Sequence, residues 1–220
     1  MGPVQHDGKI ILKSALEALD RLREGNRRFV SDVRGQGALT GQTRRNELVA
    51  GQQPFAIVLG CSDSRVPAEI VFDEGLGELF VIRVAGNIVA PSQIGSVEFA
   101  ACVYDTPLVM VMGHSMCGAV MATLEELERP SGNRSPNLQS IVNRIRPSVE
   151  ALLEKELHAD HDAMLRLAIR ANIRASVSQL KHGSRILEEL IAEDRLLVVG
   201  AEYSLETGVV DFFYGLPEDS

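Results

Sequence analysis

Cysteine is scarce in this sequence, and its scarcity excludes the class of small domains that disulfides stabilise. The 220 residues contain three cysteines, Cys61, Cys102 and Cys117. An odd and sparse set is not a disulfide framework, and it is typical of a reducing compartment in which thiolates are free to bind metal. We therefore expect a cytoplasmic protein. Cys102 falls in a predicted helix and is expected in the core.

Long apolar runs and an excess of basic residues are also missing. The longest apolar run, Leu108–Met112, is far too short to span a bilayer, and Met1–Lys9 has no apolar signal core. Lys and Arg number 22 against 30 Asp and Glu, a formal net charge of -8. Because the basic residues are scattered, this charge argues against a broad surface for nucleic acid or anionic lipid. We expect neither a nucleic acid nor a membrane as a partner.

Four short apolar runs predict strands that are buried on both faces. They are Phe55–Gly60, Leu79–Val84, Leu108–Gly113 and Leu196–Gly200, with Val209–Tyr214 as a fifth candidate. Helical patterns precede or separate them at Ile11–Val30, Thr43–Gly51, Gln93–Tyr104, Gly118–Leu127, Leu138–Leu157 and Asp162–His182. This alternation predicts an α/β fold with a mostly parallel central β-sheet flanked by helices. We expect a single domain over residues 1–220, with residues 1–10 as a flexible tail.

Two segments with metal-binding side chains follow predicted strands. Cys61–Arg65 (CSDSR) follows Phe55–Gly60, and His114–Cys117 (HSMC) follows Leu108–Gly113. Because functional sites of open parallel sheets form beyond the carboxyl ends of the strands, we expect the two segments to meet. Their two thiolates, one imidazole and one carboxylate are ligands for one tetrahedral zinc ion.

The carboxylate of this set, Asp63, has an arginine two residues away. A guanidinium competes with a metal for carboxylate oxygens, so Asp63 need not be a permanent ligand. A zinc ion with a ligand that can leave is a candidate catalytic centre. The alternative is a closed zinc site that only braces the fold, and Arg65 argues against it because a brace has no need of a guanidinium.

Three motifs make the sequence resemble the β-class carbonic anhydrases. They are Cys61–Val66 (CSDSRV), Arg83–Asn87 (RVAGN) and Gly113–Gly118 (GHSMCG), and the resemblance extends from about Ile11 to Phe213. It implies reversible hydration of CO2 to bicarbonate by zinc-bound hydroxide.

The resemblance also implies a role for each motif residue. Cys61, His114 and Cys117 correspond to the permanent zinc ligands. Asp63 and Arg65 correspond to a dyad that orients the hydroxide, and in closed forms of the family Asp63 binds the zinc itself. Zinc lowers the pKa of its bound water, so hydroxide is available near neutral pH.

A substrate pocket follows from the same resemblance. Gln52 matches a residue that binds bicarbonate, Phe80 an apolar wall for CO2, and the Gly118 N–H a backbone donor to the bound anion. Phe99 stands where many open-type members carry a tyrosine, so that hydroxyl is lost. Val58 replaces a tryptophan that lines the bicarbonate effector pocket of closed-type bacterial members. We therefore expect an open resting site without bicarbonate-dependent cooperativity.

Two other functions stay open at this point. One is hydrolysis of CS2 or COS on the same scaffold, and the other is a non-catalytic, zinc-braced binding protein. The resemblance further implies a homo-oligomer, either a dimer or a dimer of dimers. In it the N-terminal helix, Ile11–Val30, packs on the partner, and the site lies at that interface.

Overall fold

A five-stranded β-sheet forms the centre of the protein. The computed structural model describes residues 8–33, 41–129, 135–153 and 160–217. The strands are β1 (Ala56–Gly60), β2 (Leu79–Arg83), β3 (Leu108–His114), β4 (Leu197–Tyr203) and β5 (Val210–Tyr214). Their order is β2-β1-β3-β4-β5, with the first four parallel and β5 antiparallel to β4. The predicted α/β fold with a mostly parallel sheet is confirmed.

Helices surround this sheet. They are α1 (Gly8–Val30), α2 (Gln42–Leu48), α3 (Ala68–Val71), α4 (Pro91–Val103), α5 (Gly118–Glu128), α6 (Pro136–Leu153), α7 (His161–His182) and α8 (Arg185–Ala192). Helices α3 and α8 were not predicted. Of the expected tail, residues 8–10 belong to the first turn of α1, and residues 1–7 lie outside the described ranges. Within those ranges, no helix combines the length and apolarity needed to cross a bilayer.

Both faces of the sheet are buried, which explains why its strands have continuous apolar sequences. In β1, Ile57 and Leu59 lie in a core that includes residues of α4, α5, α6 and α7. Val58 lies in a second core, on the opposite face, that includes residues of α1 and α3. Successive strand residues therefore serve different cores, as the period of two requires.

Helix α1 packs on its own chain in the described part of its apolar stripe. Leu19 and Leu22 are fully buried in the second core. Asn26 donates hydrogen bonds to the carbonyls of Val71 and Gly208, at 3.2 and 2.9 Å, and accepts one from the Val210 N–H at 2.9 Å. Packing of α1 on a partner stays a prediction, and it has to use residues other than these.

The prediction for Cys102 was wrong, because the thiol side chain is exposed. Helix α4 turns Val97, Ala100 and Ala101 toward the sheet. Consecutive helical residues are about 100° apart, so Cys102 lies on the opposite side. It shares that side with Phe99 and Val103, which are also exposed.

The strand order determines where side chains from distant motifs meet. From β1 the chain first forms β2 on one side and later β3 on the other side. The neighbouring carboxyl ends of β1 and β3 thus make a topological switch point, the usual place for a site in a parallel sheet.

Candidate metal centre

Three side chains with metal-binding atoms converge at this switch point. Cys61 follows β1, His114 is the last residue of β3, and Cys117 precedes the first turn of α5. Their ligand atoms all lie within 4.8 Å of one another, and all three residues are buried. The predicted meeting of the two motifs is therefore seen in the structure.

The imidazole of His114 is oriented to present one nitrogen to this cluster. Its Nδ1 lies 2.9 Å from the Ser115 carbonyl oxygen, to which an Nδ1–H donates. Its Nε2 is buried and has no hydrogen-bond partner among the described residues. A buried polar atom without a partner is costly, and a metal ion at the cluster would supply one. A histidine that binds a metal through one ring nitrogen usually donates a hydrogen bond from the other, as Nδ1–H does here.

The two sulfurs are electrostatically unlike. A hydrogen bond from the Cys117 thiol lowers the pKa of Cys61 to about 4, and the nearby His114 imidazole and the Gly86 N–H add to this effect. The pKa of Cys117 is raised, because its proton is held by Cys61 and because it is buried. Without a metal, the pair therefore shares one proton. With both protons removed, two thiolates match the charge of a divalent cation.

Arg83 fixes the backbone of the first motif. It donates from Nε to the Cys61 carbonyl at 3.1 Å and from Nη2 to the Asp63 carbonyl at 2.6 Å. Sequence reasoning placed Arg83 in a motif but assigned it no role. The feature that could have indicated this role is the position of Arg83 at the end of β2, the strand next to β1.

Asp63 lies beside the cluster and is held by Arg65. The guanidinium donates to both carboxylate oxygens, at 2.9 and 2.7 Å, and the Arg65 N–H donates to Oδ1 at 2.9 Å. These bonds hold the pKa of the Asp63 carboxyl well below its usual range. Its Oδ2 is nevertheless only 3.9 Å from His114 Nε2. An ionised carboxylate thus sits next to the metal-binding atoms while engaged elsewhere.

Gly118 follows Cys117 directly in the chain. It is the exposed first residue of α5. Apart from its chain neighbours and the backbone of its own helix, no atom lies within 4 Å of the position that a Cβ would occupy. The space next to Cys117 is therefore open, and N–H groups in the first turn of a helix have no intrahelical partner.

The remaining predicted pocket residues lie at the other end of the strands in the same chain. Gln52 precedes β1, whereas Cys61 follows it, and five strand residues span about 16 Å. Phe80 is paired with Ile57 near the start of β1. The rings of Phe80 and Phe99 have centroids 6.4 Å apart. One chain does not bring these residues to its own metal-binding atoms.

Tyr104 belongs to this distant group and was missed by sequence reasoning. Its hydroxyl accepts a hydrogen bond from Gln52 Nε2 at 3.0 Å. Its ring packs edge-on against Phe99, with centroids 5.6 Å apart. A hydroxyl is therefore present next to Phe99, although position 99 itself has none. The only signal was a tyrosine at the end of a helix that already contained Phe99.

Comparisons with known proteins agree with this arrangement. A family model described as carbonic anhydrase matches residues 56–210. The chain is 38% identical over 192 residues to "Carbonic anhydrase 2" of Mycobacterium tuberculosis, covering 85% of this chain and 87% of that protein. It is 38% identical over 201 residues to a carbonic anhydrase of Mycolicibacterium smegmatis, covering 86% and 89%. The solved structure of a Coccomyxa beta-carbonic anhydrase in complex with acetazolamide has a TM-score of 0.71 at 25% identity, covering 89% and 86%.

Proposed function

The chain belongs to the β-class carbonic anhydrases, and we propose that it hydrates CO2 reversibly to bicarbonate with zinc held by Cys61, His114 and Cys117. The observation that carries this proposal is the buried, unpartnered Nε2 of His114 within 4.8 Å of two sulfurs. One nitrogen and two sulfur ligands leave the fourth position of a tetrahedral zinc ion free, as a catalytic site requires.

The chain's own residues then have distinct tasks. When zinc is bound, it makes hydroxide available near neutral pH. The Asp63 carboxylate, which lies beside the ligand atoms, would accept a hydrogen bond from the nucleophile and orient it toward the carbon of CO2. Arg65 keeps Asp63 ionised and occupies both of its carboxylate oxygens, so that Asp63 need not bind the metal itself. In this proposal the N–H of Gly118, in the first turn of α5, would donate a hydrogen bond to the product anion.

We assign Gln52, Phe80 and Phe99 to the site of a partner subunit, because they lie at the far end of β1 from the chain's own Cys61. The surface around them supports this assignment. Phe99 is 50% exposed and Val103 58% exposed, with Cys102 between them on the same side of α4. A contiguous exposed apolar patch of this kind marks an interaction surface. The proposed assembly is a dimer or a dimer of dimers.

Open geometry is the proposed resting state. Asp63 is paired with Arg65, and Val58 is too small to form the effector pocket that a tryptophan forms in closed-type members. Activity is therefore expected to fall smoothly as the pH falls. A steep pH profile that bicarbonate shifts would contradict an open resting state.

Stopped-flow CO2 hydration together with metal analysis tests the function. We expect one zinc ion per chain and a rate that scales with zinc content. Turnover of CS2 or COS without CO2 hydration would favour the hydrolase alternative. Stoichiometric zinc with neither activity would favour the zinc-braced binding protein. Sedimentation at assay concentration tests the assembly, and an active monomer would contradict the shared site.

A further inference from the structure

The turn at residues 85–87 has a backbone conformation that costs little at a glycine but strains the residue after it. Gly86 has φ 70 and ψ 20, and Asn87 has φ 43, so two consecutive residues are in the left-handed region. A Cβ on residue 86 would lie 2.8 Å from the Cδ1 of Ile145 and 3.0 Å from the Cβ of Ala119. Asn87 is also buried with its Nδ2 unpartnered. A turn with these costs persists only when surrounding structure holds it.

Helix α7 provides that support through two side chains one helical turn apart. Asn172 donates from Nδ2 to the Gly86 carbonyl at 2.8 Å. Ser176 donates from Oγ to the Asn87 carbonyl at 3.0 Å. Both residues are 2% exposed. Residues four apart share one helix face, so α7 binds two consecutive carbonyls of the turn at once.

The same turn donates to a proposed metal ligand. The Gly86 N–H lies 3.4 Å from the Sγ of Cys61 and donates to it. Asn172 fixes the peptide group that follows Gly86, and Ser176 fixes the next one. The peptide group that carries the Gly86 N–H joins this held segment at the Gly86 Cα, so the position of the turn sets the direction of this N–H. A hydrogen bond to a thiolate sulfur stabilises its charge and orients the sulfur toward the metal.

We propose that Asn172 and Ser176 are positioning residues of the metal centre and act on Cys61 through the 85–87 turn. This inference rests on the proposed zinc ligation by Cys61. The hydrogen bonds of both side chains go to carbonyls of the turn and not to the three ligand atoms. Removing either one lets the turn relax, so that the Gly86 N–H no longer meets the sulfur.

Zinc release from the purified, zinc-loaded protein tests the inference. The variants are Asn172→Ala and Ser176→Ala, and the readout is the rate at which zinc appears on a chromophoric chelator. Replacing a residue that holds a metal ligand in place typically weakens metal binding about 10- to 100-fold. We expect zinc to be released faster by a factor in this range from Asn172→Ala, and faster by a smaller factor from Ser176→Ala.

A matched control separates positioning from general loosening. Asn26 is also a buried asparagine, 5% exposed, whose amide donates to backbone carbonyls, two in this case, but it lies beside the opposite sheet face. Asn26→Ala should lower stability and leave zinc release at the parental rate. In cobalt-substituted protein, the thiolate-to-metal absorption band should shift in Asn172→Ala and stay unchanged in Asn26→Ala.

Distinct results would overturn the inference and the proposed function. Parental release rates in both α7 variants, or equal acceleration in Asn26→Ala, would overturn the positioning role alone. If Asn172→Ala does not fold, Ser176→Ala decides by the same criterion. A parent without zinc, or Cys61→Ser with a full zinc complement, would overturn the zinc assignment and the positioning role with it.

Discussion

The replacement Asp63→Asn tests the proposed chemistry most directly. Asparagine has nearly the same shape as aspartate but no charge. Its single carbonyl oxygen is the only acceptor left for Arg65, which now donates to both carboxylate oxygens and from its own N–H. The amide nitrogen, a donor, then faces the hydroxide position. The variant therefore presents the wrong polarity to the attacking group.

The size of the effect follows from the bond that is lost. A hydrogen bond to a charged group contributes about 1.5–3 kcal/mol, which corresponds to a rate loss of about 10- to 150-fold. Zinc content should not change, because the three ligand atoms within 4.8 Å of one another come from Cys61, His114 and Cys117. The measurement is kcat/KM for CO2 hydration by stopped flow at pH 8, with zinc determined on the same sample.

A double-mutant cycle with Arg65→Gln sharpens this test. If Arg65 acts only through Asp63, the double variant should be no slower than Asp63→Asn, since residues that act as a unit are not additive. Independent, multiplying losses would show that Arg65 has a separate role. A near-parental rate in zinc-replete Asp63→Asn would remove the dyad from the mechanism.

Three further predictions concern the metal, the packing and the response to pH. Cys117→Ser should lose most zinc and activity, and a full zinc complement by metal analysis would remove Cys117 from the ligands. Gly113→Ala should lower the free energy of unfolding in urea by about 1–3 kcal/mol, because the new Cβ would lie 2.6 Å from the Ile173 side chain; unchanged stability would contradict this packing. The pKa of Asp63 is lower in the folded protein than in the unfolded chain, where it is about 4. The pairing of Asp63 with Arg65 therefore stabilises the fold fully above about pH 4, and this stabilisation is lost as the pH falls through the lower folded-state pKa. The stability difference between the parent and Asp63→Asn should thus be constant from neutral pH to about pH 5 and shrink below pH 4, as urea unfolding at several pH values would measure.

The parts of the fold that the sequence predicted are those with the strongest burial. Strands β1 and β3 are apolar runs that are buried at every residue, and the carboxyl ends of parallel strands lie at the same edge of a sheet. For that reason the approach of Cys61 to His114 was predictable from chain order alone. Helix α3, with four residues, is too short to show helical periodicity. Helix α8 has a signal that was overlooked, since Ser184 caps it by accepting from the Leu187 N–H.

What the sequence did not reveal depends on contacts between distant residues. The bond from Asn172 to the Gly86 carbonyl joins positions 86 residues apart, and no local pattern marks it. Cys102 was misjudged because its helix is apolar on more than one side, and only the packed structure shows which side faces the sheet. Gln52 and Phe80 were named from the resemblance, although the predicted strand Phe55–Gly60 already lay between Gln52 and Cys61.

The position of Gln52 and Cys61 at opposite ends of β1 has a genetic consequence. In the proposed dimer, every site combines the metal-binding end of one chain with the amide and aromatic end of the other. A chain carrying Cys117→Ser and a chain carrying Gln52→Ala are each defective as homodimers. Their hybrid has one doubly defective site and one fully wild-type site. Two inactive alleles should therefore complement each other when expressed in the same cell.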